Sequence, residues 1–156
     1  MGSQGSVSWS IFDTSKPSKW YESLTRVPAA DIYYLPEYHK AHELNGDGEA
    51  LLLVAGRGAD TLIYPFLVRR ISNPGFEEWS DIETVYGYGG PLSTTTDPDF
   101  LSCVWGLFSE WCRENHLVAE FIRCHPSLRS HEYLSGVCDI ILNRETVVVA
   151  LDGTRK

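Results

Sequence analysis

The sequence predicts an α/β fold, a mixed and mostly antiparallel sheet flanked by helices, and three observations carry that prediction. Two apolar runs, Ala50–Arg57 and Asp60–Ile71, are joined by Arg57-Gly58-Ala59-Asp60 and read as an antiparallel hairpin. Residues Pro98–Glu114 repeat apolar side chains at helical spacing (Phe100, Val104, Leu107, Phe108, Trp111, Cys112). Shorter strand-like and helix-like stretches surround these two, so the expected order is β-α-α-β-β-β-α-β-β-β.

The series starts with a strand at Val7–Phe12. A short helix follows near Pro17, with Ser15 or Ser18 available as its cap. Residues Asp31–Leu44 read as an extended entry and then a helix, Pro36 suiting a first turn in which its missing N–H leaves no partner unmatched. Asn45-Gly46-Asp47-Gly48 ends that helix. Beyond the central hairpin, Asn73–Ser80 is a loop with a Pro-Gly turn. Asp81–Tyr88 is a third strand that stops at Gly89-Gly90-Pro91. Asp97 caps the Pro98–Glu114 helix, with Asp99 at the positive end of its dipole. Leu117–Cys124 is a strand, Pro126–Leu134 a turn or short helix, and Val137–Leu142 with Thr146–Leu151 a second hairpin.

Composition excludes several classes. At 156 residues, 43% apolar and 12% aromatic, the chain can bury one core and is too apolar for disorder. A formal charge of -8 argues against a non-specific nucleic-acid surface, which needs clustered Lys and Arg. No apolar run reaches the roughly 20 residues that span a bilayer. Met1–Ser6 is small and polar where a secretory signal would be charged and then apolar, so a cytoplasmic location is expected. Cys103, Cys112, Cys124 and Cys138 show neither CxxC nor metal-ligand spacing and are expected to be reduced and mostly buried.

The chemistry-bearing residues cluster in two places. In Tyr86-Gly87-Tyr88-Gly89-Gly90-Pro91 the glycines permit positive φ and close approach of a ligand, and tyrosines two apart on a strand share a face. The competing reading is a strand ending in a tight turn with its tyrosines packed on the core. At the end of the next strand, Arg123 and His125 share a face and form a pair suited to an anionic ligand. Its competitor is an ion-paired Arg and a His capping the Pro126 turn. His39 and His42 lack a third metal ligand and read as a solvated helix face. No nucleophile signature is present, so no catalytic residue is assigned; Glu120 and Asp81 are the carboxylates available as a base. No segment supplies a phosphate-cradling loop, and no cofactor or metal site is expected.

Three segments together resemble the amino-terminal half of the FemA/FemB-like branch of the Gcn5-related acyltransferase superfamily. They are Asp31-Ile-Tyr-Tyr-Leu-Pro-Glu-Tyr-His-Lys, Tyr86-Gly-Tyr-Gly-Gly-Pro-Leu, and Phe100 through Trp111 continuing to Glu120-Phe-Ile-Arg-Cys-His-Pro. The resemblance implies one acyltransferase-like domain over residues 7–152, after a flexible stretch at 1–6. By the same resemblance it would be the first of a tandem pair, with 153–156 starting the linker to a missing second domain. It further implies an acceptor wall of Tyr86, Tyr88, Gly89, Gly90, Arg123 and His125, with Lys40 holding acceptor phosphates. The acceptor would be anionic, such as a cell-wall precursor, or another amine. Acyl-CoA or aminoacyl-tRNA would serve as donor only with the second domain. Alone, this half would be inactive and, with an apolar face uncovered, would associate with itself. A non-catalytic binding or assembly domain of the same fold is the alternative.

Overall fold

The computed structural model describes residues 5–27 and 30–149. Its strands are β1 (Ser8–Asp13), β2 (Glu49–Arg57), β3 (Asp60–Arg70), β4 (Ser80–Glu83), β5 (Leu92–Ser93) and β6 (Leu117–Phe121). The helices are α1 (Pro17–Leu24), α2 (Pro36–Asn45) and α3 (Pro98–Glu114), with 3-10 turns at Ile32–Tyr34 and Ser130–Leu134. All six strands form one sheet in the order β1-β2-β3-β4-β6, with β5 pairing the start of β3. Every pairing is antiparallel except β4 with β6, which is parallel. The fold is therefore α/β with a mixed, mostly antiparallel sheet flanked by helices.

Strand alternation divides the core into two layers. Leu51, Leu53, Leu62, Tyr64, Phe66 and Ile82 point to one face, where α3 buries Phe100, Leu101, Val104, Trp105 and Phe108. Leu52, Ile63 and Leu92 point to the other, against Trp20 of α1 and Tyr34. The Gly58-containing turn sets β2 against β3 in unbroken register from Glu49↔Val68 to Arg57↔Asp60. Arg57 then reaches Asp97, the residue that caps α3, and lies over the Phe100 ring at 5.3 Å.

Four expectations are corrected. Neither Ser15 nor Ser18 caps α1: Lys16 holds that position without a side-chain bond, and Ser15 turns back to Asp13. The hairpin Val137–Leu142 with Thr146–Leu151 does not form within 137–149; its later residues lie outside those described. Ile141, Leu142 and Val147 are 83%, 90% and 89% exposed, and without a sheet or helix beneath them two strands have nothing to pack on. His39 is fully buried rather than solvated. The cysteines are free, but Cys103 and Cys138 are exposed and the other two half-buried. Among the described residues no helix is long and apolar enough to cross a membrane, and no group of three ligating side chains is placed to hold a metal.

Candidate functional site

The parallel strands β4 and β6 stay paired only through Glu83↔Phe121. Thr84 still donates its N–H to Phe121 O at 3.2 Å, and then the chains part. The β4 side loops out through Val85–Tyr88 and returns at Gly89, which donates to Arg123 O (2.8 Å) and accepts from His125 N–H (2.9 Å). Side chains satisfy the backbone left between these contacts. Thr84 Oγ1 accepts from Arg123 N–H at 3.0 Å, and the buried Ser130 hydroxyl donates to Gly89 O at 2.7 Å. In open α/β sheets the space beyond the carboxyl ends of parted parallel strands is where ligands are held.

Two glycines make this return possible. Gly87 has φ 105°, and a Cβ there would lie 2.4 Å from the Tyr33 ring. Gly90 has φ 91°, and a Cβ would lie 2.8 Å from Ser130 Oγ. The close approach that the glycine run permits is thus taken by the protein's own Tyr33 and Ser130.

Around the loop stands an aromatic cluster anchored by one carboxylate. Asp31 caps the first 3-10 turn, Oδ1 accepting from Tyr33 N–H at 3.0 Å. Its Oδ2 accepts from His125 Nε2–H at 2.8 Å. The other nitrogen of His125 accepts from Leu128 N–H at 3.2 Å, which puts the single ring proton on Nε2. Asp31 consequently has a neutral partner, and among the described residues no Lys or Arg pairs with it. The Tyr33 ring meets Tyr38 and Tyr88 edge-on at 5.5 and 5.9 Å, and Tyr88 lies 5.6 Å from His125. Tyr38 donates its hydroxyl to Tyr86 O at 3.0 Å, while the Tyr86 side chain is 78% exposed.

Of the residues singled out in the sequence, Tyr86, Tyr88, Gly89, Gly90 and His125 come together here. Tyr86 and Tyr88 do not share a strand face, because β4 ends at Glu83 and Gly87 turns the chain between them. Arg123 and His125 turn to different partners. The Arg123 guanidinium lies over Phe121 at 5.0 Å and 3.7 Å from Glu83, which also binds Arg69 at 3.1 Å. Arg69 in turn grips both oxygens of Asp81. Lys40 stands apart, paired with Glu43, whose same oxygen accepts from Thr14 beside β1.

Neither carboxylate considered as a base bonds to Tyr33, Tyr38, Tyr86 or Tyr88. Asp81 is held by Arg69. Glu120 lies on the α3 face, accepting from the buried Tyr64 hydroxyl at 2.6 Å. Desolvation of its carboxyl raises the pKa although the Tyr64 bond opposes this, and the residue as a whole stays exposed. Burial also pushes the Cys112 thiol up to about 12 and raises that of Cys124, so neither is a ready nucleophile. Asp31, Tyr33, Tyr38 and Ser130 were missed by sequence reasoning. An Asp two residues before Tyr33 is a local capping signal, but its contact with His125 spans 94 residues of chain.

No family model matches the chain, and no curated protein matches it. Among solved structures it is similar to a predicted acetyltransferase with acetyl-CoA from Clostridium acetobutylicum. Identity is 11%, with 91% of this chain and 96% of that one covered at a TM-score of 0.45. A likeness of that size decides neither family nor function.

Proposed function

We propose that this chain binds the amine acceptor in an acyl or aminoacyl transfer, the role of the first domain of a FemA/FemB-like transferase, while a second domain holds the donor. The observation that carries this reading is the parting of β4 from β6, which leaves a tyrosine-lined surface where a parallel sheet holds ligands. The motif resemblance of Tyr86–Leu92 and Glu120–Pro126 supports it from the sequence side. In such a reaction the acceptor nitrogen forms a bond to the acyl carbon as the ester or thioester bond breaks. The nitrogen loses a proton, and the leaving oxygen or sulfur gains one. The part assigned to this chain is to hold the acceptor in line, which supplies rate through positioning rather than through a nucleophile.

The test uses the full reading frame that contains this chain, a labelled acyl or aminoacyl donor and an amine panel. Transfer to an amine is expected there, and no calorimetric binding of acetyl-CoA by the 156-residue chain. Stoichiometric acetyl-CoA binding by this chain would contradict the division of labour.

One observation favours a second reading, a non-catalytic binding domain. Both His125 nitrogens are engaged, Arg123 and Asp81 are ion-paired, and Glu120 faces α3. Saturable amine binding with no transfer by the full reading frame would select it.

A further inference from the structure

We infer that the face formed by Asp31, Tyr33 and Tyr88 binds an alkylammonium group and discriminates against anions. The inference rests on the acceptor reading of this site and names the acceptor's charge. Among the described residues, each Asp31 oxygen accepts one hydrogen bond, Oδ1 from Tyr33 N–H and Oδ2 from His125 Nε2–H. A carboxylate has about four lone-pair sites, so one on each oxygen stays open to a further donor. The side chain is 38% exposed, so a ligand can reach it. Its charge is not cancelled by His125, because the bond from Leu128 N–H to Nδ1 leaves that ring with a single proton.

The neighbouring rings add to this preference. Tyr33, Tyr88 and His125 lie within 5.9 Å of one another, centroid to centroid. Tyr33 and Tyr88 are half-buried, and an accessible tyrosine ring face carries the negative side of its quadrupole, which attracts ammonium groups and repels anions. Cations that would draw an anion here are already matched. Arg123 and Arg69 share Glu83, Arg69 holds Asp81, and Lys40 is paired with Glu43. Two guanidiniums against two carboxylates leave Asp31, among the described residues, without a Lys or Arg partner, in a chain whose formal charge is -8. Among the described residues, the anionic acceptor expected from Arg123 and His125 therefore finds these three cations already ion-paired.

A lysine side chain on a peptide and a free polyamine both present this group. The experiment is an equilibrium titration of the chain, without acyl donor, followed by backbone amide chemical shifts. Probes are butylammonium, spermidine and Nα-acetyl-lysine methylamide, against butyrate, inorganic phosphate and neutral N-butylacetamide. Saturable shifts at Tyr33, Tyr88 and His125 are expected for the ammonium probes and are expected to weaken with added salt. Tighter spermidine supports a polyamine source, and tighter lysine derivative a peptide source. Asp31→Asn keeps an oxygen for the Tyr33 cap and is expected to weaken butylammonium roughly tenfold. Tyr88→Phe should bind as the parent does, and Tyr88→Leu about threefold more weakly.

Phosphate or butyrate binding as tightly as butylammonium would overturn the proposal, as would unchanged affinity in Asp31→Asn. Should that variant not fold, unchanged affinity in Tyr88→Leu overturns it equally. Binding without transfer by the full reading frame contradicts the acceptor role and leaves this inference standing. Transfer to an amine that does not bind here does the reverse.

Discussion

The β2–β3 hairpin and the β4–β6 pair belong to one sheet but solve the backbone problem in opposite ways. In the hairpin every step from Glu49↔Val68 to Arg57↔Asp60 is paired, and most side chains on both faces are buried. Its backbone groups are matched strand to strand along that whole length. In the parallel pair the ladder stops at Glu83↔Phe121, and Thr84, Ser130 and His125 satisfy the groups it abandons. That substitution of side chains for strand pairing brings Asp31, Tyr33 and Tyr88 to the surface together. Scaffold and site are separated by where the ladder ends.

The largest test of the difference attacks the scaffold. Phe100→Ala empties a fully buried position on the core face of α3 and should lower stability by about 4 kcal/mol, read from urea unfolding. Native amide shifts at Tyr33 and Tyr88 should survive below the transition. In the open half, Gly90→Ala places a Cβ at positive φ against Ser130 and should cost about 3 kcal/mol. Here the shifts of Tyr88 and His125 should move as well, which distinguishes the two halves.

Burial holds the pKa of His39 down to about 4, from an ordinary value near 6.5. Its folded state resists protonation, so unfolded chains bind the extra proton. Stability is complete above pH 6.5 and falls as the pH drops towards 4, by about 3 kcal/mol from this group. Comparing unfolding at pH 7 and pH 5 with the His39→Leu variant isolates the effect, since that variant lacks this part of the pH dependence. Smaller still, Val148→Asp alters a side chain 69% exposed and should change stability by no more than about 0.5 kcal/mol.

Much of the scaffold was legible because its signals are local. The Gly58-Ala59 turn, the Asp97-Pro98 start of α3 and Gly46 at the end of α2 each specify structure within a few residues. Strand propensity was a poorer guide where packing decides. Residues 137–149 have β-branched composition and no surface to lie on, whereas Leu92–Ser93 pairs with β3 because of where the preceding loop returns it. At the site, Gly87 broke the alternation that would have put Tyr86 and Tyr88 on one face. His39 looked solvated beside Lys40 and Glu43, yet Trp20 packs against it at 5.2 Å and Tyr33 O bonds it. Contacts such as Asp31 with His125 come from the fold's return path and leave no local trace.

The central claim is that the parted end of β4 and β6 faces the acceptor while the closed half is scaffold. Two tyrosines measure it directly: Tyr88 in the open half, and Tyr21 on α1, which is 41% exposed. In the full reading frame, Tyr88→Ala should lower kcat/KM for the amine acceptor by roughly tenfold or more, as loss of a ring contact and of positioning would. Tyr21→Ala should leave it unchanged. Equal effects from the two, or no effect from Tyr88→Ala, would contradict the account.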